Sequence, residues 1–383
     1  MKLVSSGYRV AVVGASSLLG KELLTVLEER KFPVSRLVTL GADAGEPDLP
    51  VLDLNREPSD LSELGDDLEP TDLAATGLAE SAADTDFIFL ARPPSPSVRN
   101  TMGTEPLIID LGENHAMEGA VGPVRAPDER LSIPFLDREL GPARPSEPAS
   151  DVSRPRWNVS PHPASIMISS LLLRLANLSP VRLAVAQVFG PASEIGPRAI
   201  EELQKQTLNL LSFQKIPQSV FGAQLAFNVL PRLGRSRRGD ASPYRDGLTD
   251  LESRIRTQVR SYLAGRACAP ALRVIQVPVF YSLTVSLYVE TETPLAPQSI
   301  GQALGSRIRL RKISEPAASP IDVAGASDIL VDAITADSEH PNGIWLWAAA
   351  DNLRLAAVNA VEIAESFMPR SAAPRGEGAK HGR

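Results

Sequence analysis

Continuous apolar runs of strand length alternate with helical patterns along the first part of the chain. Tyr8–Val13 (YRVAVV) is β-branched and shows no polar alternation, which is typical of a strand covered on both faces. A glycine-containing turn follows it, and Lys21–Arg30 then carries leucines at helical spacing. Further buried strands are predicted over Arg36–Leu40, Asp86–Ala91 and Pro106–Leu111. This alternation predicts an α/β fold with a mostly parallel sheet.

The second part of the chain has a different order of elements. Its predicted helices are Ile166–Ala176, Arg198–Leu211, Thr249–Leu263 and Leu355–Phe367, and its predicted strands are Val181–Val188, Leu225–Leu230, Arg273–Phe280 and Leu283–Glu290. Leu283–Glu290 alternates apolar and hydroxyl side chains, which predicts a half-exposed antiparallel strand. These elements together predict an α+β domain whose mixed sheet has helices on one face. The Pro-, Ser- and Arg-rich segment Gly141–Arg156 is interpreted as a linker or a surface loop.

The turn after the first strand is a candidate dinucleotide site. Strand, glycine turn and helix in that order open a dinucleotide-binding unit, with Gly14 making the tight turn and Gly20 letting the helix lie close. Ser17 takes the middle position, which favours a residue without a side chain. The predicted cofactor contacts in this turn are Gly14, Ser16, Ser17, Leu18 and Gly20. The same pattern fits a βα turn of any doubly wound domain, so both interpretations stay open.

Two acidic residues bear on which dinucleotide the turn would accept. The loop after Leu40 carries Asp43 and Glu46, where NADP-selective sites usually place an arginine for the 2′-phosphate. Carboxylates there would repel a phosphate, and Ser17 would crowd the pyrophosphate. The sequence therefore predicts that any binding of NAD or NADP is weak, with no preference for NADP.

Composition and charge exclude several classes of partner. The net charge of −7 leaves no excess of Lys and Arg for a nucleic-acid backbone, and no apolar run of about 18 residues predicts a membrane span. A single cysteine, Cys268, excludes an internal disulfide. The four histidines lack ligand spacing, so no metal site is predicted. With no signal-peptide pattern at the N-terminus, we expect a cytoplasmic protein.

A series of segments resembles the aspartate-β-semialdehyde dehydrogenase family over nearly the full length. In family order they are RVAVVGASSLLGKELLTVLEER, LIIDLG, SPHPASIM, GAQLAFNVLPRLG, VIQVPVFYSLTVSLYVETETPL and PNGIWLWAAADNLRLAAVNAVEIAES. The resemblance implies a Rossmann-like dinucleotide-binding domain over 1–156, completed by the C-terminal helix within 341–369. It further implies an α+β dimerisation domain over 157–340, a homodimer, and a cofactor contact at Asn352. Residues 370–383 are predicted to be a disordered tail.

The residues that carry the family's chemistry are replaced in this sequence. By resemblance, the nucleophilic cysteine corresponds to Pro163 and the acid/base histidine to Leu283. The arginine for the substrate carboxylate corresponds to Gln276, and that for phosphate falls near Ala116. A Gly-Gly loop of the family becomes Pro93-Pro94. The family residues that persist are Gln187, Glu252 and, in place of a lysine, Arg254.

Two functional hypotheses follow from these replacements. The first is a family member without dehydrogenase activity and with no catalytic residues, kept for its fold, its dimer or an unknown small-molecule ligand. The second is an active NAD(P)-dependent aldehyde or acyl-phosphate oxidoreductase of amino-acid biosynthesis that has rebuilt its catalytic groups. For such rebuilding, His162 at the entry of a helix is a better candidate than Cys268, although a turn residue and an inert thiol are the simpler interpretations of the two.

Overall fold

The structure, a computed structural model, describes residues 7–40, 85–92, 106–111, 129–141, 157–231, 247–312 and 315–368. Several sequence predictions lie outside these ranges, namely most of the linker after Gly141, the loop with Asp43 and Glu46, Pro93-Pro94, Ala116 and the tail 370–383.

The first sheet has six strands, and every neighbouring pair is parallel. Its strands are β1 Tyr8–Val13, β2 Val34–Leu40, β3 Phe87–Leu90, β4 Leu107–Asp110, β5 Glu129–Leu131 and β6 Trp157–Val159, in the order β2-β1-β3-β4-β6-β5. Two helices of this half are α1 Leu18–Glu29 and α2 Pro134–Leu140. The prediction of a Rossmann-like parallel α/β sheet is confirmed.

The C-terminal helix, α7 (Asn352–Phe367), returns to the first sheet and packs with α1. Leu23 and Leu27 of α1 and Ala357, Ala360 and Ile363 of α7 are fully buried in one cluster with side chains of β1 and β3. The alanines of α7 carry short side chains, so this helix lies close to the sheet and to α1. The last helix of the chain therefore belongs to the same core as the first.

The second sheet also has six strands but mixes parallel and antiparallel pairs. Its strands are β7 Val181–Gly190, β8 Ala271–Gln276, β9 Leu283–Thr291, β10 Ile308–Leu310, β11 Ile329–Ala336 and β12 Gly343–Ala350, in the order β10-β11-β12-β9-β7-β8. The helices of this half are α3 Pro163–Leu178, α4 Pro197–Leu211, α5 Gly247–Leu263 and α6 Pro297–Ala303. The predicted mixed sheet is confirmed, and α3 is the helix at the centre of its core.

The predicted strand Leu225–Leu230 is wrong. This segment is a turn, and only Leu230 forms an isolated bridge, to Gln276. The side-chain oxygen of Gln206 on α4 accepts the backbone N–H groups of Leu225 (2.7 Å) and Ala226 (3.0 Å), which a neighbouring strand would otherwise bind. Phe227 then turns the chain with a φ of +58°, outside the extended region.

The prediction that β9 is half exposed is also wrong. Leu283, Val285, Leu287 and Val289 face the helices as predicted, but the opposite face is covered as well. β9 is a central strand, and Tyr288 on its other face lies against the ring of Trp345, with 4.8 Å between ring centroids. The strand before it is shorter than predicted, since β8 ends at Gln276, before Pro278 removes a backbone N–H.

The strands next to the expected domain boundaries each pair within one of the two sheets. β6, which ends three residues beyond the expected boundary at 156, pairs in the first sheet. β12 pairs in the second sheet, and α7 follows it directly into the first core. The division of the chain into domains over 1–156 with 341–369, and 157–340, stays a prediction.

Candidate functional site

The entry of α3 is built from His162, Pro163 and a glutamine of α5. Pro163 is the first helical residue, where its missing N–H leaves nothing unpaired. His162 is the N-cap, and its Nδ1 accepts the Ala164 N–H (3.1 Å). The backbone N–H of His162 donates to Gln258 Oε1 (2.9 Å), which also accepts the Ser165 hydroxyl (2.8 Å). Side chains of His162 and Gln258 therefore bind two of the backbone donors at this helix end.

The imidazole of His162 also binds a carboxylate. Its Nε2 lies 2.6 Å from Glu194 Oε2, and the side chains of His162 and Glu194 are only 6% and 13% exposed. Glu194 ends a short 3-10 turn, Ala192–Glu194, that follows β7. Because Nδ1 accepts a backbone N–H, the imidazole proton is on Nε2 and is donated to the carboxylate. Both ring nitrogens are therefore engaged, and His162 has no lone pair ready to take a proton from a substrate.

Asn352, the first residue of α7, binds the other oxygen of Glu194. Its Nδ2 donates to Glu194 Oε1 (2.6 Å) and lies 3.2 Å from the Ser193 hydroxyl, while its Oδ1 accepts the Ser282 N–H (3.1 Å). The predicted cofactor residue Asn352 is therefore buried in this network, with both its amide groups bound to protein. A contact between this amide and a cofactor stays a prediction.

Electrostatics keep Glu194 ionised. Burial by itself raises the pKa of this carboxyl, but the electrostatic interaction and hydrogen bond with His162, the hydrogen bond from Asn352 and the charge of Arg254 outweigh it, so the net pKa is lowered. Two more polar atoms in this network are buried and have no hydrogen-bond partner within the described part of the chain: Gln258 Nε2 and the Ser282 hydroxyl. Ser282 also has a φ of +69°, which is uncommon for serine and marks local strain.

The glycine turn after β1 has the backbone geometry that the sequence predicts. Gly14 has a φ of +76°, and a Cβ at Gly20 would lie 2.1 Å from the Gly14 carbonyl oxygen. Ser17 is the N-cap of α1 and its hydroxyl accepts the Gly20 N–H (3.0 Å). Ser16 directly precedes this cap, and Leu18 is the first residue of α1. That these five residues contact a cofactor stays a prediction.

Comparison with known proteins gives one consistent result. Residues 176–355 match the sequence profile described as semialdehyde dehydrogenase, dimerisation domain. Aspartate-semialdehyde dehydrogenase of Aquifex aeolicus is 26% identical over 373 residues, covering 94% of this chain and 97% of the relative. The USG-1 protein homolog of Pseudomonas aeruginosa is 27% identical over 369 residues, covering 94% and 98%. The crystal structure of aspartate semialdehyde dehydrogenase II from Vibrio cholerae superposes with a TM-score of 0.68 at 20% identity, covering 94% and 98%.

These matches together support membership of the aspartate-semialdehyde dehydrogenase family. The relatives include proteins named for the enzyme and proteins with another name, as the two above illustrate. Similarity to this family therefore does not decide the activity of the chain, which depends on its own residues.

The positions to which the family resemblance assigns chemistry are occupied by packing residues. Pro163 is buried at the start of α3, and Leu283 is 0% exposed in the core between the second sheet and its helices. Gln276 Nε2 donates to the Gly190 carbonyl (2.9 Å), which joins β8 to β7. Of the persisting family residues, Gln187 is exposed on β7, and Glu252 accepts the Val274 N–H (2.9 Å).

Outside this network, the described residues provide few groups that could bind a metal or act in catalysis. The Cys268 thiol is half-buried and lies 3.5 Å from the Ala269 carbonyl. Among the described residues, no group of three His, Cys, Asp or Glu side chains could hold a metal ion. Within the same residues, no helix has the length and apolar character that a membrane span requires.

Sequence reasoning found His162 but missed its partners. Glu194 lies in the segment PASEIGP, whose prolines and glycine indicate a solvated turn, and nothing in that pattern predicts a buried carboxylate. Gln258 is one polar residue on a charged helix. The only available signal was the Asn-Leu-Arg segment at Asn352, which we assigned to a cofactor and which the structure places against Glu194.

Proposed function

We propose that this chain is a member of the aspartate-semialdehyde dehydrogenase family that does not catalyse the phosphorylating dehydrogenase reaction. It is retained for its fold, for a dimer or for binding a small molecule. The observation that carries the proposal is the entry of α3, where Pro163 takes the nucleophile's place and the neighbouring His162 has both ring nitrogens engaged.

The chemical argument rests on the loss of several groups that act together. Proline has no nucleophilic side chain, and Leu283 cannot move a proton. Gln276 offers no positive charge to a substrate carboxylate, and its amide is bound to Gly190. When residues act as one catalytic unit, losing any principal member abolishes almost all of the rate, so the remaining members do not preserve partial activity.

The second candidate is an active NAD(P)-dependent oxidoreductase of amino-acid biosynthesis with rebuilt catalytic groups. The His162–Glu194 pair favours it, because a buried carboxylate that orients an imidazole is a common acid/base arrangement. The direction of the hydrogen bonds argues against it. A general base needs a free ring nitrogen, and the Ala164 N–H holds Nδ1 while Glu194 holds Nε2.

A dinucleotide would be held by the backbone of the turn from Gly14 to Leu18 and by the first turn of α1. The left-handed Gly14 and the N-terminus of a 12-residue helix suit a pyrophosphate. The Ser17 hydroxyl is already used by the Gly20 N–H. When bound, the nicotinamide would supply hydride transfer. We propose that affinity for NAD and NADP is weak and similar.

The chain is further proposed to form a homodimer through its second domain. The match to the dimerisation-domain profile supports this, and so do exposed apolar side chains on α4 and the loop bound to it. A two-fold dimer is also the commonest closed assembly of a single chain.

The deciding experiment is an assay of the purified protein with aspartate semialdehyde, inorganic phosphate and NADP. We expect no NADPH formation above the protein-free rate. A rate that scales with protein concentration and vanishes without phosphate would refute the proposal. The Glu194→Gln variant separates the two candidates, since an acid/base role of His162 predicts that the variant loses any rate found in the wild type.

A further inference from the structure

We propose that Glu194 is the chain's own occupant of a small-anion site between the entries of α3 and α7, so that a free carboxylate or phosphate binds there only when this side chain is removed. The inference deepens the proposed function and rests on it, because a site that already holds an anion excludes anionic substrates independently of the missing nucleophile.

The first support is where the two carboxylate oxygens of Glu194 lie. Oε2 is 2.6 Å from the ring of His162, the N-cap of α3, and Oε1 is 2.6 Å from the amide of Asn352, the first residue of α7. Both helices have 16 residues, and helix N-termini carry partial positive charge that favours anions. The Asp351 carboxylate caps α7 by accepting the Arg354 N–H, and Glu194 is a second carboxylate at that end. Each oxygen of one carboxylate is therefore bound to the start of a different helix.

The second support is that the site offers more donors than Glu194 uses. Gln258 is 4% exposed, and its Oε1 is fixed on the His162 N–H, which places its unpartnered Nε2 at the entry of α3. Ser282 is 1% exposed and its N–H binds Asn352, which places its unpartnered hydroxyl at the entry of α7. Buried donors without acceptors are rare. Each belongs to a residue that binds one of the two partners of Glu194, and together they indicate a site suited to an anion with more acceptor oxygens than this side chain supplies.

The third support is access. The Glu194 side chain is 13% exposed, whereas its two partners, His162 and Asn352, are buried. Glu194 therefore separates the helix entries from solvent. Shortening it opens a path for a small ion to the same donors, without moving either helix.

The test compares wild type, Glu194→Ala and Glu194→Gln by thermal unfolding at pH 7. Sodium acetate or sodium phosphate replaces sodium chloride at constant ionic strength. For Glu194→Ala we expect a saturable rise in Tm with acetate, phosphate or both, half-complete in roughly the 1–100 mM range, and the two arms separate carboxylate from phosphate. The glutamine variant keeps the side-chain volume, so its Tm should not depend on which anion is present. The exposed Glu292→Ala variant controls for general salt effects.

Each outcome decides the proposal. A saturable rise confined to Glu194→Ala supports it, and loss of that rise in Glu194→Ala/Asn352→Ala supports the assigned donors. If Glu194→Ala does not fold in chloride, recovery of its circular dichroism signal in acetate or phosphate supports the site, and failure in all three salts overturns it. Saturable stabilisation of the wild type also overturns it. Dehydrogenase activity of the wild type would instead refute the proposed function. The stabilisation of Glu194→Ala by an anion is measured separately and does not depend on that activity.

Discussion

The apolar surface on α4 makes the homodimer testable at a single residue. The exposed side chains of Leu208, Leu211, Phe213, Phe227 and Val229 are here named the α4 surface. Phe213 among them is 99% exposed. This surface is held rigidly: the buried Glu202 carboxylate accepts four hydrogen bonds from Ser219, Val220 and Phe221, and Gln206 binds the segment just before Phe227. Exposed apolar side chains of this kind suit a protein interface, and we assign the proposed dimer contact to them.

The change Phe213→Asp is expected to dissociate the dimer without unfolding the chain. Burying a phenylalanine side chain is worth about 1.5–3 kcal/mol, and two-fold symmetry places two copies in the interface. The substitution should therefore cost about 3–6 kcal/mol of association free energy, which raises the dissociation constant by roughly 10²- to 10⁴-fold. The fold should tolerate it, because Phe213 has a φ of +55°, a conformation that aspartate adopts more readily than phenylalanine.

The assay is sedimentation velocity or light scattering over a concentration series from nanomolar to tens of micromolar. Ile321→Asp is the matched control: Ile321 is 87% exposed and lies on a turn that packs against β12. We expect this control to keep the wild-type dissociation constant. A wild type that stays monomeric throughout the series refutes the dimer. An unchanged dissociation constant for Phe213→Asp would refute the assignment of the α4 surface to the interface.

Further predictions concern the site and its supports. The pKa of Glu194 is lower in the folded than in the unfolded chain, so its ionised form stabilises the fold. This stabilisation is complete above the ordinary pKa of 4.5 and is lost as the pH falls below it. On acidification to pH 3, the Tm of the wild type should therefore fall more than the Tm of Glu194→Gln. Calorimetry should find similar, weak binding of NAD and NADP, and tight NADP-selective binding would contradict this. Pro163→Cys/Leu283→His should show no dehydrogenase activity, and Leu283→His alone should lower the unfolding free energy by roughly 2–5 kcal/mol in urea, since Leu283 is fully buried. Glu202→Ala should cost at least about 3 kcal/mol in the same urea assay, because four donors lose their acceptor; a loss below 1 kcal/mol would show that water replaces it.

The sequence predicts the parts of this fold that depend on local periodicity. β1, the glycine turn and α1 follow from an apolar run, a residue with positive φ and leucines at helical spacing, all within 22 residues of each other. The C-terminal helix is predicted within three residues of its start because its apolar pattern extends over four turns. These features need no information from distant parts of the chain.

Features that depend on distant side chains could not be predicted. Leu225–Leu230 has the composition of a strand, but Gln206, about 20 residues earlier, takes the backbone donors that a strand would use. β9 has a polar face in sequence, but rings from β12 cover it. Glu194, in a turn after β7, binds His162 32 residues before it and Asn352 158 residues after it, and no local pattern records such contacts.

Two residues at positions that the resemblance assigns to the family's chemistry, Pro163 and Leu283, suit the folded state. Proline is well suited to the first position of a helix, as at Pro163, because its φ is already helical and its missing N–H is not needed there. Leucine at the buried start of β9 adds to the core. An active site, by contrast, holds groups that cost stability and repay it only when substrate binds. A chain under selection for its fold, its dimer or a ligand, and no longer for the reaction, would accumulate this set of residues. For that reason we expect the wild type to be more stable than any variant that restores a cysteine at 163 and a histidine at 283.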